Sequence, residues 1–156
     1  MLVWRICARR HASRAFTGDG ARFYGGRWSP RGALVVYTAA TLSLAALELL
    51  VHLDPDTVPG DLVAVAGEVP DDLRIEQISV ASLPRNWRGY PAPQELQRRG
   101  LAWVRAVKSA VLSVPSAVVP PERNYLLNPA HRDFTRIRIG KPEPFHFDPR
   151  LWRSGR

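Results

Sequence analysis

Apolar runs separated by polar and glycine-rich stretches predict a chain of short strands interrupted by two helices. Leu2–Cys7 reads as a first strand with Trp4 and Ile6 on one face. Arg9–Arg31 shows no sustained period, and Gly18, Gly20, Gly25 and Gly26 mark turns within it. Ala33–Tyr37 is a β-branched apolar strand. Thr41 is placed to cap a helix running through Leu42–Leu53, and Pro55 to stop it. Leu62–Glu68 and the shorter Arg74–Ile78 follow as strands, and Asn86–Pro93 as a loop. The second helix spans Gln94–Ser109, with Leu96, Leu101, Trp103, Val104 and Val107 on its inner face. Val111–Val114 and Ser116–Val119 form one strand bent at Pro115. Asn124–Pro129 reads as a turn, and Phe134–Ile139 as a strand with Thr135, Arg136 and Arg138 outward. Strands and helices mix without βαβ regularity, which predicts a single α+β domain over residues 1–156.

Composition narrows the class. Nearly half the residues are apolar, enough for an independent core. Cys7 is the only cysteine, which excludes an internal disulfide and a cysteine-based zinc site and fits a reducing cytoplasm. The first ten residues lack the long apolar stretch of a signal peptide, and the first helix is too short to span a bilayer. The net charge is +8, with basic ends around an acidic stretch at 54–76. Such charge suits nucleic acid, an anionic small molecule or an acidic protein partner. No helix carries a basic stripe and aromatics do not interleave with arginines, which argues against direct nucleic-acid binding.

Candidate chemistry centres on a few residues. Glu48 sits in a helix apolar on almost every side, the pattern of a buried helix, where a carboxylate is costly unless held. It is either a catalytic group or the partner of His52, one turn on. Gly25-Gly26-Arg27-Trp28 sets an arginine after two flexible residues, either as a clasp for phosphate or carboxylate or as an ordinary turn. Tyr37 ends an apolar strand, as a core tyrosine or as a ring that packs on a planar ligand. Ser116 lacks a Gly-x-Ser-x-Gly setting, so a hydroxyl that bonds a ligand fits better than a nucleophile. There is no phosphate-binding Walker loop and no dinucleotide fingerprint. The four histidines show no metal-ligand spacing, so no metal is assigned.

Taken together, the stretches at 4–6, 25–28, 36–38, 47–52, 114–120, 124–131 and 147–151 resemble the RES domain family, named for its arginine, glutamate and serine. Two departures stand out: Ser29 where asparagine is common, and Arg132 where proline is common. The resemblance implies a twisted mixed sheet like that of ADP-ribosyltransferases, arranged around an NAD cleft. It implies a cytoplasmic toxin of a bacterial toxin–antitoxin pair, held in a hetero-oligomer by a cognate Xre-like antitoxin. NAD is then the substrate, cleaved at the nicotinamide–ribose bond with inorganic phosphate or water as acceptor. Transfer of ADP-ribose to a protein is the alternative, and a non-enzymatic nucleic-acid-binding domain a third reading. Carried over by position, Arg27, Tyr37 and Glu48 are catalytic, and Arg5, Arg27, Tyr37 and Ser116 bind substrate.

Overall fold

Strand alternation builds one large sheet. The computed structural model describes residues 1–54 and 59–152, with the side chain of Trp152 left out. The strands are β1 (Leu2–Ala8), β2 (Val36–Ala39), β3 (Leu62–Glu68), β4 (Ile75–Gln77), β5 (Val111–Pro115), β6 (Arg123–Leu127), β7 (Arg138–Ile139) and β8 (Glu143–Pro144). They lie in the order β4-β5-β6-β2-β1-β3-β7, with β8 also against β3. The β4–β5 pair is parallel and the others antiparallel, so the expected mixed sheet of an α+β fold is present.

The period of two sorts the core onto both faces. Val3, Val36, Val63, Val65, Val111 and Leu127 pack on one side with Phe16 and Ile137. Leu112, Val114 and Leu126 join Trp28, Trp87, Leu96 and Trp103 on the other. Helix α2 (Leu42–Leu50) then covers Ile6, Ala39, Leu62 and Ala64. Burying Leu44, which is 1 % exposed, contributes about 1.5–3 kcal/mol relative to leaving it in water.

Several local expectations hold. Thr41 caps α2, its hydroxyl accepting from the Leu44 amide at 3.0 Å. Helix α3 (Gln94–Ala106) buries Leu96 and Trp103. Others need correction. Helix α2 is buried on one side only, because Leu47 and Val51 are 40 % and 58 % exposed. It ends at Leu50; Pro55, the expected stop, lies outside the described residues. Arg9–Arg31 is not irregular throughout: it holds a 3₁₀ turn, Arg9–Arg14, and a short helix α1, Asp19–Tyr24. Helix α3 stops before Ser109, and Val107 is exposed in a left-handed conformation rather than facing inward.

Two further expectations give way to tertiary pairing. Asn124 belongs to a strand rather than a turn, because β6 pairs with β2 on one side and β5 on the other. A ladder on both sides outweighs the local turn preference of asparagine. Phe134–Ile139 is mostly a 3₁₀ turn (Arg132–Arg136), and only Arg138–Ile139 reaches the sheet, although Thr135, Arg136 and Arg138 do face outward.

Candidate active site

Glu48 follows Leu44 and Ala45 by four and three residues, so it stays on the stripe of α2 that packs against the sheet. Its Oε1 accepts from the Ser116 hydroxyl at 2.7 Å and from Asn124 Nδ2 at 2.5 Å. His52, the alternative partner, is exposed. Two donors on one carboxylate oxygen fix its direction.

Ser116 stands just past β5, where Pro115 ends the strand in place of the expected bend and continuation to Val119. Its hydroxyl oxygen accepts from the amides of Val118 and Val119 at 3.1 and 2.9 Å while donating to Glu48. The side chain is fully buried. A hydroxyl with both roles filled is a rigid peg, and here it ties the turn after β5 to α2.

Asn124, read from sequence as part of a turn, is the residue that reasoning missed. The signal was there: Arg123-Asn124-Tyr125-Leu126-Leu127 has the apolar tail of a strand, and Asn124 alternates with buried Leu126. Asn128 does serve a turn, accepting from the Ala130 amide at 3.0 Å.

Arg27 rises from the turn after α1. Its Nη1 donates to the carbonyls of Trp87 at 2.7 Å and Gly89 at 3.2 Å. Burial draws the guanidinium's pKa down, and the Glu48 carboxylate is the largest influence the other way, which places Arg27 in the field of Glu48. Arg88, whose like charge also draws the Arg27 pKa down, donates to the Ala117 carbonyl at 3.0 Å. The arginine of Gly-Gly-Arg is therefore held by the 84–91 loop and is not a freely solvated turn residue.

Tyr37 supports the same turn from below. Its hydroxyl accepts from the Trp28 amide at 3.0 Å and shares a hydrogen bond with Ser29 Oγ at 2.8 Å. A Cβ on Gly26 would lie 2.6 Å from that hydroxyl, so only glycine lets the turn rest on the ring. Burial pushes the Tyr37 pKa up to about 12, so the hydroxyl is a neutral donor and acceptor. Ser29, the departure from the family pattern, is fully buried on this contact. Gln97 of α3 also anchors the turn, donating to the Gly26 carbonyl at 2.9 Å.

Arg5 occupies a different niche. Strands β1 and β2 share a single paired position, Trp4 with Ala39. Beside it Arg5 Nη1 donates to the Tyr37 carbonyl at 3.0 Å, while Nε is buried with no partner among the described residues. Burial lowers the Arg5 pKa, and no carboxylate pairs with it among the described residues. A half-buried cation with a buried, unused donor suits an anionic ligand.

The structure thus joins Glu48 to Ser116 and Asn124, seats Arg27 on the turn that Tyr37 supports with the Glu48 charge felt at its guanidinium, and sets Arg5 against the backbone of Tyr37. Two hollows of about 350 and 580 Å³ lie elsewhere, one lined by Ser43, Leu47 and Phe147, the other by Arg31, Leu101 and Asn128. Neither is lined by the site residues, so hollow size alone does not locate the chemistry.

Comparison with known proteins agrees with the motifs. The RES domain family model matches residues 2–148. A Yersinia enterocolitica protein named Toxin Res is 40% identical over 152 residues, covering 97% of this chain and 99% of that protein. A Sphingobium protein named Prs ADP-ribosylating toxin is 38% identical over 155 residues, covering 97% of this chain and 96% of its own length. Among solved structures, a chain in the crystal structure of the M. tuberculosis MbcT–MbcA toxin–antitoxin complex matches with a TM-score of 0.73 at 15% identity. That match spans 97% of this chain and 86% of the other, and it is a likeness of fold.

Proposed function

The chain belongs to the RES domain family, and from that membership we propose that it is a toxin of a toxin–antitoxin pair that cleaves NAD at the nicotinamide–ribose bond. The observation that carries the reading is Glu48, a carboxylate held at one oxygen by Ser116 and Asn124 within the field of Arg27.

Cleavage breaks the bond between the ribose C1′ and the nicotinamide nitrogen. The electron pair leaves with nicotinamide, which departs neutral and needs no general acid. Positive charge develops on the ribose, as in glycoside cleavage. Glu48, preorganised by its two donors, stabilises that charge without reorganising. Arg27 and Arg5 are the cations for the pyrophosphate, Arg27 with donors beyond the two carbonyls it already holds. Tyr37 presents its ring beneath the Arg27 turn, and Ser116 acts by aiming Glu48. Phosphate or water then attacks C1′ and yields its proton to solvent.

The test is to incubate the pure protein with NAD, with and without phosphate, and identify the products. Free nicotinamide with ADP-ribose, or with its phosphorylated counterpart, is the expected result; intact NAD overturns the reading. A second reading, ADP-ribose transfer to a protein, is favoured by the printed name of the Sphingobium relative. Labelled ADP-ribose retained on cell protein would select it. The likeness to a chain from a toxin–antitoxin complex supports a cognate antitoxin as partner. Carboxylates of that antitoxin would find a positive field at Arg27 and Arg5, so co-purification should block NAD loss.

A further inference from the structure

The amide of Asn124 has two ends, and only one is used inside the protein. Nδ2 donates to Glu48 Oε1 at 2.5 Å. Oδ1 is buried with no partner among the described residues. The orientation is fixed, because turning the amide over would set its carbonyl oxygen against a carboxylate. Nor can the backbone shift to find another donor: Asn124 is paired with Ala39 of β2 on one side and Val114 of β5 on the other. An orphaned acceptor on a central strand costs stability unless a ligand supplies the donor.

We infer that Asn124 is a specificity-determining residue whose side-chain carbonyl accepts a hydrogen bond from a hydroxyl of the ribose attached to nicotinamide. The inference rests on the NAD-cleaving reading above. The ligand group must be a donor, which excludes the phosphates. The carbonyl sits on the same carbon as the nitrogen that holds Glu48, so it adjoins the carboxylate that faces the reacting ribose. The hydroxyls of that ribose are the donors nearest such a carboxylate. One amide then links the recognition of the sugar to the aim of Glu48: a ligand lacking the hydroxyl leaves the acceptor unpaired.

The experiment uses carba-NAD, a non-cleavable analogue with a methylene in place of the ribose ring oxygen, and its two forms lacking the 2′ or the 3′ hydroxyl on that ring. Binding to the full chain is measured by calorimetry. The wild type is expected to bind the diol form more tightly than at least one deoxy form, by about three- to tenfold, the worth of one such hydrogen bond. Asn124→Ala is expected to weaken the diol form by a similar factor and to bind all three alike. Ser116→Ala removes the other donor to Glu48 but spares the Asn124 carbonyl, and is expected to keep the discrimination. Loss of discrimination in Ser116→Ala as in Asn124→Ala would mean that Asn124 merely positions Glu48, and overturns the inference. So does an Asn124→Ala protein that discriminates like the wild type, or a wild type that cleaves NAD yet does not discriminate. Should Asn124→Ala fail to fold, Asn124→Ser carries the same expectation of altered discrimination. A wild type that binds none of the three and leaves NAD intact overturns the NAD reading itself, and this inference with it.

Discussion

Gly100 of α3 lies directly against the backbone of Trp28: a Cβ built on it would sit 1.7 Å from the Trp28 carbonyl oxygen. The contact joins the middle of a helix to the turn that carries Arg27. Glycine in a helix interior costs roughly 1 kcal/mol in propensity relative to alanine, so propensity alone would favour the substitution. Packing reverses the sign. Gly100→Ala is expected to push α3 away from the turn and to lower stability by about 1–3 kcal/mol, the range typical of overpacking. Thermal melting checks it: a mutant as stable as the wild type would show that the helix and the turn are not in contact.

Glu48 and Ser116 stand 68 residues apart in sequence and 2.7 Å apart in space. Glu48→Gln keeps an acceptor for both Ser116 and Asn124 while removing the charge. It is expected to fold and to melt near the wild type, yet to lose about a hundredfold or more in NAD turnover. Ser116→Ala differs in kind, because it also leaves the Val118 and Val119 amides without their acceptor. It should lower both melting temperature and rate. Full activity in Glu48→Gln would return that residue to a structural role.

Arg27 is expected to matter through geometry rather than charge. Arg27→Ala should reduce turnover or NAD binding by tenfold or more, since charge-assisted hydrogen bonds contribute about 1.5–3 kcal/mol. Arg27→Lys should recover little, because an ammonium cannot hold the Trp87 and Gly89 carbonyls and a ligand in one plane. Arg98, on the outer side of α3 with its side chain 73% exposed, is the control. Equal losses from Arg27→Ala and Arg98→Ala would show that the assay reads bulk charge.

Much of this site was legible in the sequence because its residues are unusual where they stand. A carboxylate among leucines, an arginine behind two glycines and a tyrosine at a strand end each break a local pattern. The Thr41 cap and the alternation in β1 and β3 were legible for the same reason, since they are local. What escaped was whatever depends on distant pairing. Asn124 looks like a turn former until β2 and β5 close around it. The carbonyls that hold Arg27 belong to the backbone of Trp87 and Gly89 and have no side-chain signature. Gly100 reads as a weak point in a helix, and only the Trp28 carbonyl explains it. The apolar surface of α2 misled in the other direction: Leu47 and Val51 suggested complete burial, yet both are exposed.

Tyr37 makes the pH dependence of the fold specific. Its pKa is pushed from an ordinary 10 up to about 12, chiefly by burial, with the bonds to Ser29 and Trp28 acting the other way. The native state therefore keeps the phenol proton where the unfolded chain releases it. Unfolding releases that proton above pH 10, so this contribution to stability is complete below about 10 and declines as pH rises to about 12. Above that both states are ionised and the decline ends. The wild type is expected to show one tyrosine ionising late in its ultraviolet titration, near pH 12. Tyr37→Phe should abolish that late step and flatten the loss of melting temperature between pH 10 and 12. At neutral pH the same mutant leaves the Trp28 amide without its acceptor, at a cost of about 1–3 kcal/mol, and loosens the turn that presents Arg27. A Tyr37→Phe protein with an unchanged titration at high pH would mean that the buried phenol is not Tyr37.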